Sequence, residues 1–178
     1  MEFRDLTADD IEVRVQSVKQ NGLVLLLYKN ARVDMNILDE TVGAENWQRE
    51  HYECKGNLFC RVGILCGTGV PGMGSDSGLD SVEWVWKADC GTESNTEAQK
   101  GEASDSFKRA CFNWGIGREL YTSPFIWIPA SNCKIENGKC YDRFSVEKII
   151  IENKKIKALA IWNDTQNKRA YVWQEAAQ

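Results

Sequence analysis

The sequence predicts an α+β fold, because segments of helical and of strand character occupy separate stretches of the chain. A segment near the middle repeats its apolar residues with a helical period, and three segments before it are rich in β-branched and aromatic residues. More strand-like segments follow residue 123. The predicted order is a helix, a strand, a second helix, three strands, a long helix and a small C-terminal β unit.

The first element is predicted to be a short N-terminal helix. Thr7 supplies a capping hydroxyl, and the residues after it place acidic side chains in the first turn. Ile11, Val15 and Val18 then recur at helical spacing, and the Asn21-Gly22 pair ends the pattern. We therefore expect this stretch to be a helix with one apolar edge.

The next five elements lie between this helix and the middle of the chain. They are a buried strand, a helix and three strands, predicted over residues 23–28, 32–41, 47–54, 57–66 and 82–88. Residues 67–81 are rich in Gly and Ser and show neither periodicity. Such a segment is longer than a tight hairpin needs, so we expect a long loop that is either mobile or functional.

The long helix has two different faces. Its apolar face is formed by residues that repeat at helical spacing, namely Ala103, Phe107, Ala110, Cys111 and Trp114. On the opposite face, Phe112 projects between Lys108 and Arg109. Cations beside an exposed aromatic ring suit a single-stranded nucleic acid, whose phosphates attract cations and whose bases stack on flat rings. The alternative is an ordinary solvated face, with Phe112 packed on a neighbouring element or subunit.

The chain after this helix is predicted to form β structure. Residues 123–129 are an extended apolar segment bracketed by prolines, and residues 144–151 and 156–162 flank a hairpin turn. Residues 169–173 add a third strand.

Length and composition limit the possible classes of function. For a chain of 178 residues we predict a core domain over residues 1–122 and a C-terminal β appendage over residues 123–178. The net charge of −4 argues against a nucleic-acid binder that relies on overall basicity, but it is compatible with a local basic groove. The longest apolar run, Leu23 to Leu27, is too short to span a bilayer and no signal peptide is recognisable, so we expect a cytoplasmic protein.

Cysteine and histidine usage does not predict a metal site. The seven cysteines include no Cys-x-x-Cys pair, and His51 is the only histidine, whereas zinc sites need closely spaced ligands. Cys133 and Cys140 flank a turn and could face each other across a hairpin. A disulfide and two thiols both remain open for this pair, and a cytoplasmic location favours the thiols.

Few catalytic motifs are present. The chain has no phosphate-binding P-loop and no G-x-S-x-G nucleophile, and Gly115-Ile-Gly117 follows a helix rather than a strand. Glu53-x-Lys55 and Glu152-x-Lys154 fit the minimal acid-x-Lys pattern of magnesium-dependent nucleases, with Asp34 or Asp39 upstream of the first. Such pairs arise by chance in a chain with 26 acidic and 22 basic residues. We expect no enzyme activity and no cofactor, and a nuclease is the enzymatic alternative.

The run from Lys100 to Tyr121, KGEASDSFKRACFNWGIGRELY, resembles the signature helix of a family of single-strand annealing proteins. These are the phage proteins of the Sak type, which are relatives of the eukaryotic Rad52 recombination proteins. Eukaryotic members have a similar K-E-A-x-x-D-x-x-K-R-A-x-x-x-x-G run, and phage members have a K-R-A-x-x-x-x-G-I-G-R-x-L-Y ending. Residues 28–32, 43–47 and 84–95 also look like family landmarks, whereas the resemblance weakens after Tyr121.

The resemblance implies a three-stranded antiparallel sheet packed on a long helix, and a ring of subunits that anneals complementary DNA strands in recombination without ATP. Lys108 and Arg109 match the basic pair that contacts the DNA backbone, and Arg32 matches a basic residue of the same groove. Where eukaryotic members have another arginine, this chain has Phe112, which would replace a phosphate contact by stacking. Further candidates for DNA contact are Lys100, Arg118, Arg61 and Lys87.

The partners implied by the resemblance are single-stranded DNA, other copies of the chain and, in a phage or prophage, an exonuclease or a host single-strand-binding protein. A passive protein that coats single-stranded DNA without promoting pairing remains the main alternative, and the magnesium-dependent nuclease is a second one.

Overall fold

The computed structural model describes residues 1–67, 82–92 and 98–176 of the chain. The α-helices are α1 (Ala31–Val42) and α2 (Ala98–Trp114). The strands are β1 (Glu12–Lys19), β2 (Gly22–Tyr28), β3 (Trp47–Cys54), β4 (Asn57–Gly67), β5 (Val82–Cys90), β6 (Ile126–Pro129), β7 (Ile135–Glu136), β8 (Lys139–Cys140), β9 (Phe144–Glu152), β10 (Lys155–Asn163) and β11 (Lys168–Gln174). Turns of 3-10 helix lie at Ala8–Asp10, Arg118–Thr122 and Ala130–Asn132. The pairings between the described strands are antiparallel, so the predicted α+β class is confirmed.

Contacts divide the chain into two compact units. Unit 1 contains Met1–Phe3 and Asp34–Ile116, and unit 2 contains Arg4–Val33 and Gly117–Gln178. Strand β6, which follows residue 122 in the chain, pairs with β2 near the N-terminus, with Gly22 opposite Pro129. The division into domains after residue 122 stays a prediction, and most of the predicted loop at residues 67–81 lies outside the described residues.

Unit 1 is built on the sheet β3-β4-β5. The three strands predicted here are confirmed, and the two-residue turn between β3 and β4 uses the left-handed backbone angles of Lys55 and Gly56, with φ of 54° and 76°. Side chains alternate between the two faces of the sheet. The central strand turns Cys60, Val62 and Ile64 to one face, where all three are fully buried.

Helix α2 contacts this buried face of the sheet. Its predicted apolar stripe is buried at Phe107, Ala110 and Cys111, and the indole nitrogen of Trp114 donates to the backbone oxygen of Val62 at 2.9 Å. A Cβ atom at Gly91 would lie 2.2 Å from a backbone oxygen of the helix, so only glycine permits this close approach. The helix is therefore fixed in its position on the sheet by both packing and hydrogen bonds.

Unit 2 contains the sheets β1-β2-β6 and β9-β10-β11. The predicted C-terminal hairpin and its third strand are confirmed as β9, β10 and β11. Asp142 is buried in this unit and accepts hydrogen bonds from the Lys134 backbone at 2.9 Å, from Asn163 at 2.8 Å and from Gln166 at 2.7 Å. Burial alone would raise the pKa of Asp142, but these hydrogen bonds outweigh it and lower that pKa below its usual value.

The predicted N-terminal helix is wrong beyond Asp10. The capping interaction exists, since the Asp10 carboxylate accepts from both the amide and the hydroxyl of Thr7 at 2.8 and 2.9 Å, but the helix is a single 3-10 turn. The following residues form β1, in which half-buried Val13 and Val15 alternate with exposed Arg14 and Gln16. The strand pairs with β2, and this tertiary pairing satisfies the backbone groups that a helix would have paired locally.

Candidate nucleic-acid interface

The C-terminal half of α2 is tied to β5 by polar contacts. The Arg109 guanidinium donates through Nε to Asp89 Oδ1 at 3.3 Å. The Asn113 amide donates to the backbone oxygen of Ala88 at 3.0 Å, and the backbone oxygen of Asn113 accepts from Lys87 Nζ at 3.0 Å. Three polar contacts therefore join residues 109–113 of the helix to residues 87–89 of the strand.

Arg109 forms an ion pair that a phosphate group could replace. Its side chain is 41% exposed and that of Asp89 is 26% exposed, and their closest N–O distance is 3.3 Å. Ion pairs near the surface contribute on the order of 0–1 kcal/mol, because water screens them and both side chains lose mobility. Separating Arg109 from Asp89 would therefore cost little free energy.

Lys108 and Phe112 lie one turn apart on the same side of α2. Both side chains are half-buried, and both make contacts within the protein. Phe112 is thus less exposed than the sequence pattern indicated, as expected when an aromatic ring packs partly on its neighbours.

Lys87 and Arg61 occupy opposite faces of the β3-β4-β5 sheet. Lys87 lies on the helix side, where its ammonium is 4.4 Å from the centre of the Trp114 ring and bonds the last turn of α2. A cation in this position stabilises the negative end of the helix dipole. Arg61 lies on the other face, where it pairs with Glu50 and stacks on Trp86. The structure therefore does not bring Arg61 together with the cations of α2.

The remaining candidates fall in unit 2 or in the first turn of α2. Arg32 is exposed in the first turn of α1, and its backbone amide donates to the Asn30 side chain at 2.8 Å, which caps the helix. Arg118 is exposed at the start of a 3-10 turn, next to the fully buried Glu119, whose Oε1 accepts from the Leu6 amide at 2.7 Å. Lys100 lies in the first turn of α2, and the structure describes its backbone alone.

The ion-pair partner of Arg109 and a cation that stacks on the buried Phe107 ring were missed in the sequence. Asp89 falls just beyond the strand predicted over residues 82–88, but it lies in β5 opposite Cys60 and so faces α2. Arg49 on β3 stacks its guanidinium 4.7 Å from the centre of the Phe107 ring. A strand assignment extended by two residues would have placed Asp89 on the helix side, because side chains two positions apart share a face.

Two other properties of the described residues bear on function. No group of three or more His, Cys, Asp or Glu side chains in this part of the chain is arranged to hold a metal ion. Likewise, no helix within residues 1–67, 82–92 and 98–176 has the length and apolar character needed to cross a bilayer.

Residues 3–139 match the Rad52/22 family, described as double-strand break repair proteins. The chain belongs to this family. The match covers well over half of the chain and includes all eight residues predicted to contact DNA. It confirms the predicted relation to Rad52 and implies a role in DNA repair and recombination, while assignment to the phage Sak type stays a prediction. Neither the curated proteins nor the solved structures include a match to this chain.

Proposed function

We propose that this Rad52/22 family protein binds single-stranded DNA and anneals complementary strands without hydrolysing a nucleotide. The observation that carries the proposal is the family match, which spans the helix bearing Lys108 and Arg109. The unit formed by α2 and the β3-β4-β5 sheet is proposed as the annealing core. Annealing requires no covalent chemistry, and base pairing between the two strands supplies the free energy.

The basic residues hold the DNA backbone in this proposal. Arg109 exchanges its ion pair with Asp89 for a phosphate, and Lys108 neutralises a further phosphate. Arg32 is proposed as a third residue that contacts a phosphate. Contacts made only to phosphates leave the base edges accessible to a second strand. Several copies of the chain would align such contacts along one DNA molecule, which makes a ring or another oligomer the proposed working form.

The decisive experiment mixes two complementary labelled oligonucleotides with the protein in EDTA, without nucleotide, and follows duplex formation. A large acceleration over the protein-free rate is expected, whereas a non-complementary pair should give no signal. Tight binding without acceleration would instead identify a passive coating protein. Cleavage that appears only when magnesium is added would identify a nuclease.

The salt dependence of binding tests the residues. If Arg32, Lys108 and Arg109 each neutralise one phosphate, the slope of log K against log salt is about −2 per subunit, at roughly −0.7 per phosphate. Replacing both Lys108 and Arg109 by Ala should flatten this slope by more than half and slow annealing. The matched control replaces the exposed Lys148 and Lys155 by Ala, which removes the same charge from unit 2. Equal effects of the two double variants would remove α2 from the DNA-binding site.

A further inference from the structure

The face of the β3-β4-β5 sheet that lies opposite α2 carries four aromatic side chains. We call this the open face and define it by Tyr52, Phe59, Arg61, Trp84 and Trp86. These residues share one face because Tyr52 lies opposite Phe59 in the β3-β4 ladder, while Trp86 and Trp84 lie opposite the residues two and four positions beyond Arg61, respectively. Tyr52 on β3 and Trp84 on β5 are each 38% exposed, which is unusual for such large rings.

The rings of the open face form two pairs. Tyr52 and Phe59 are stacked with centres 5.6 Å apart, and the centres of Trp84 and Trp86 are 6.1 Å apart. A Cβ atom at Gly63 would lie 2.8 Å from the Trp86 ring, so the indole rests flat on the backbone of the central strand. The two pairs follow one another along the sheet, with Arg61 between them in the register of β4.

The charges of the open face cancel. Arg61 donates through two nitrogens to one oxygen of Glu50, at 2.9 and 2.5 Å, and its guanidinium lies 4.4 Å from the centre of the Trp86 ring. None of the described residues that alternate onto this face is a lysine. The face therefore lacks the free cations that hold phosphates, and it offers ring and guanidinium planes instead.

Such planes are the surfaces on which unpaired nucleobases stack. A sheet with a helix on one face and aromatic rings on neighbouring strands of the other is also how RNA-recognition sheets take two or three bases. We propose that the open face is a stacking platform for the bases of a single-stranded nucleic acid. It lies on the other side of the sheet from Lys108 and Arg109, and it requires base contact but no annealing activity.

Because the platform is neutral, its contribution to affinity is insensitive to salt, unlike that of the α2 cations. This difference separates the two sites in one experiment on the full-length chain. The probes are a labelled oligo-dT and an abasic strand of the same length, which keeps the phosphates and lacks the bases. Binding of each probe is measured by fluorescence anisotropy over a range of salt concentrations.

Replacing Trp84 by Ala is expected to weaken oligo-dT binding about 5- to 150-fold, the effect of losing one stacked base. The salt slope and the affinity for the abasic strand should stay unchanged. Trp84→Tyr retains a ring and should retain most of the oligo-dT affinity. The double Ala variant of Lys108 and Arg109 should give the opposite pattern, with a flatter slope for both probes, so failure at one site is distinguishable from failure at the other.

Folding and assembly are measured on the same samples by thermal melting and by light scattering. If the Trp84→Ala variant is folded and binds oligo-dT as the parent does, the proposal is wrong. A changed particle mass with unchanged base-dependent binding would identify the open face as a contact between copies of the chain, which also overturns it. If the variant fails to fold, the proposal is tested on the parent protein instead. Its tryptophan fluorescence is measured at high salt with each of the two probes. Quenching by oligo-dT but not by the abasic strand is expected, and equal responses would contradict the platform.

Discussion

The ion pair between Arg109 and Asp89 makes the sharpest prediction about the proposed DNA contact. Its N–O distance is 3.3 Å and both side chains are partly exposed, so the pair contributes at most about 1 kcal/mol. A phosphate that binds Arg109 has to displace the Asp89 carboxylate from it. Asp89→Asn removes that competition and one repelling charge, so the affinity for single-stranded DNA should rise by up to about fivefold.

The assay is anisotropy of a labelled oligonucleotide at several salt concentrations, with a double-mutant cycle. The gain from Asp89→Asn should disappear in an Arg109→Gln background, because no guanidinium is left to be released. Glu53→Gln removes the same charge from an exposed position of β3 and serves as the control. An identical gain in both backgrounds, or the same gain from Glu53→Gln, would show that overall charge and not the ion pair controls binding.

Three further predictions concern stability and thiol chemistry. Lys87→Met removes the hydrogen bond to the backbone oxygen of Asn113 and the charge at the end of α2, and it should lower the free energy of unfolding by about 1 kcal/mol in a denaturant titration. Burial raises the pKa of Cys60 to about 11, so at pH 8 its thiol should resist alkylation while exposed Cys54 reacts, as read by mass spectrometry. Because the folded-state pKa of Asp142 is lowered, its carboxylate stabilises the fold above a pH of about 4, and that contribution is lost as the pH falls through the folded-state value. Asp142→Asn should therefore destabilise the protein by about 1–3 kcal/mol at neutral pH, and the difference from the parent should shrink at pH 3.

Local signals in the sequence were sufficient to predict most of the elements. Strand β3 begins and ends where predicted, because a two-residue turn with Gly56 follows it directly. The stripe predicted for α2 is buried at Phe107, Ala110 and Cys111, and the helix ends at Trp114, directly before Gly115. The N-terminal strand was missed because Ile11, Val15 and Val18 happen to fit a helical period.

The neighbours of the candidate site could not be derived from a single pattern. Helical spacing places Lys108, Arg109 and Phe112 on α2, but it contains no information about which strand lies beneath them. The partner of Arg109 depends on the register of β5 against β4, which is set by tertiary pairing. Alternation likewise predicts that Trp84 and Trp86 share a face, but only the packing of α2 on the other side shows which face stays open.

The pairing of β2 with β6 has a consequence for synthesis of the chain. The hairpin of β1 and β2 leaves the ribosome before unit 1 does, yet its third strand follows only after the whole of Asp34–Ile116 has been made. Unit 1 is nearly continuous in sequence and can fold as it emerges, whereas β2 keeps an unpaired edge throughout that interval. An exposed edge is a template for the equivalent strand of another nascent copy. Chains that are synthesised by neighbouring ribosomes on one messenger RNA are close together during this interval. Strand exchange can then occur between them, with β6 of one copy pairing with β2 of the next.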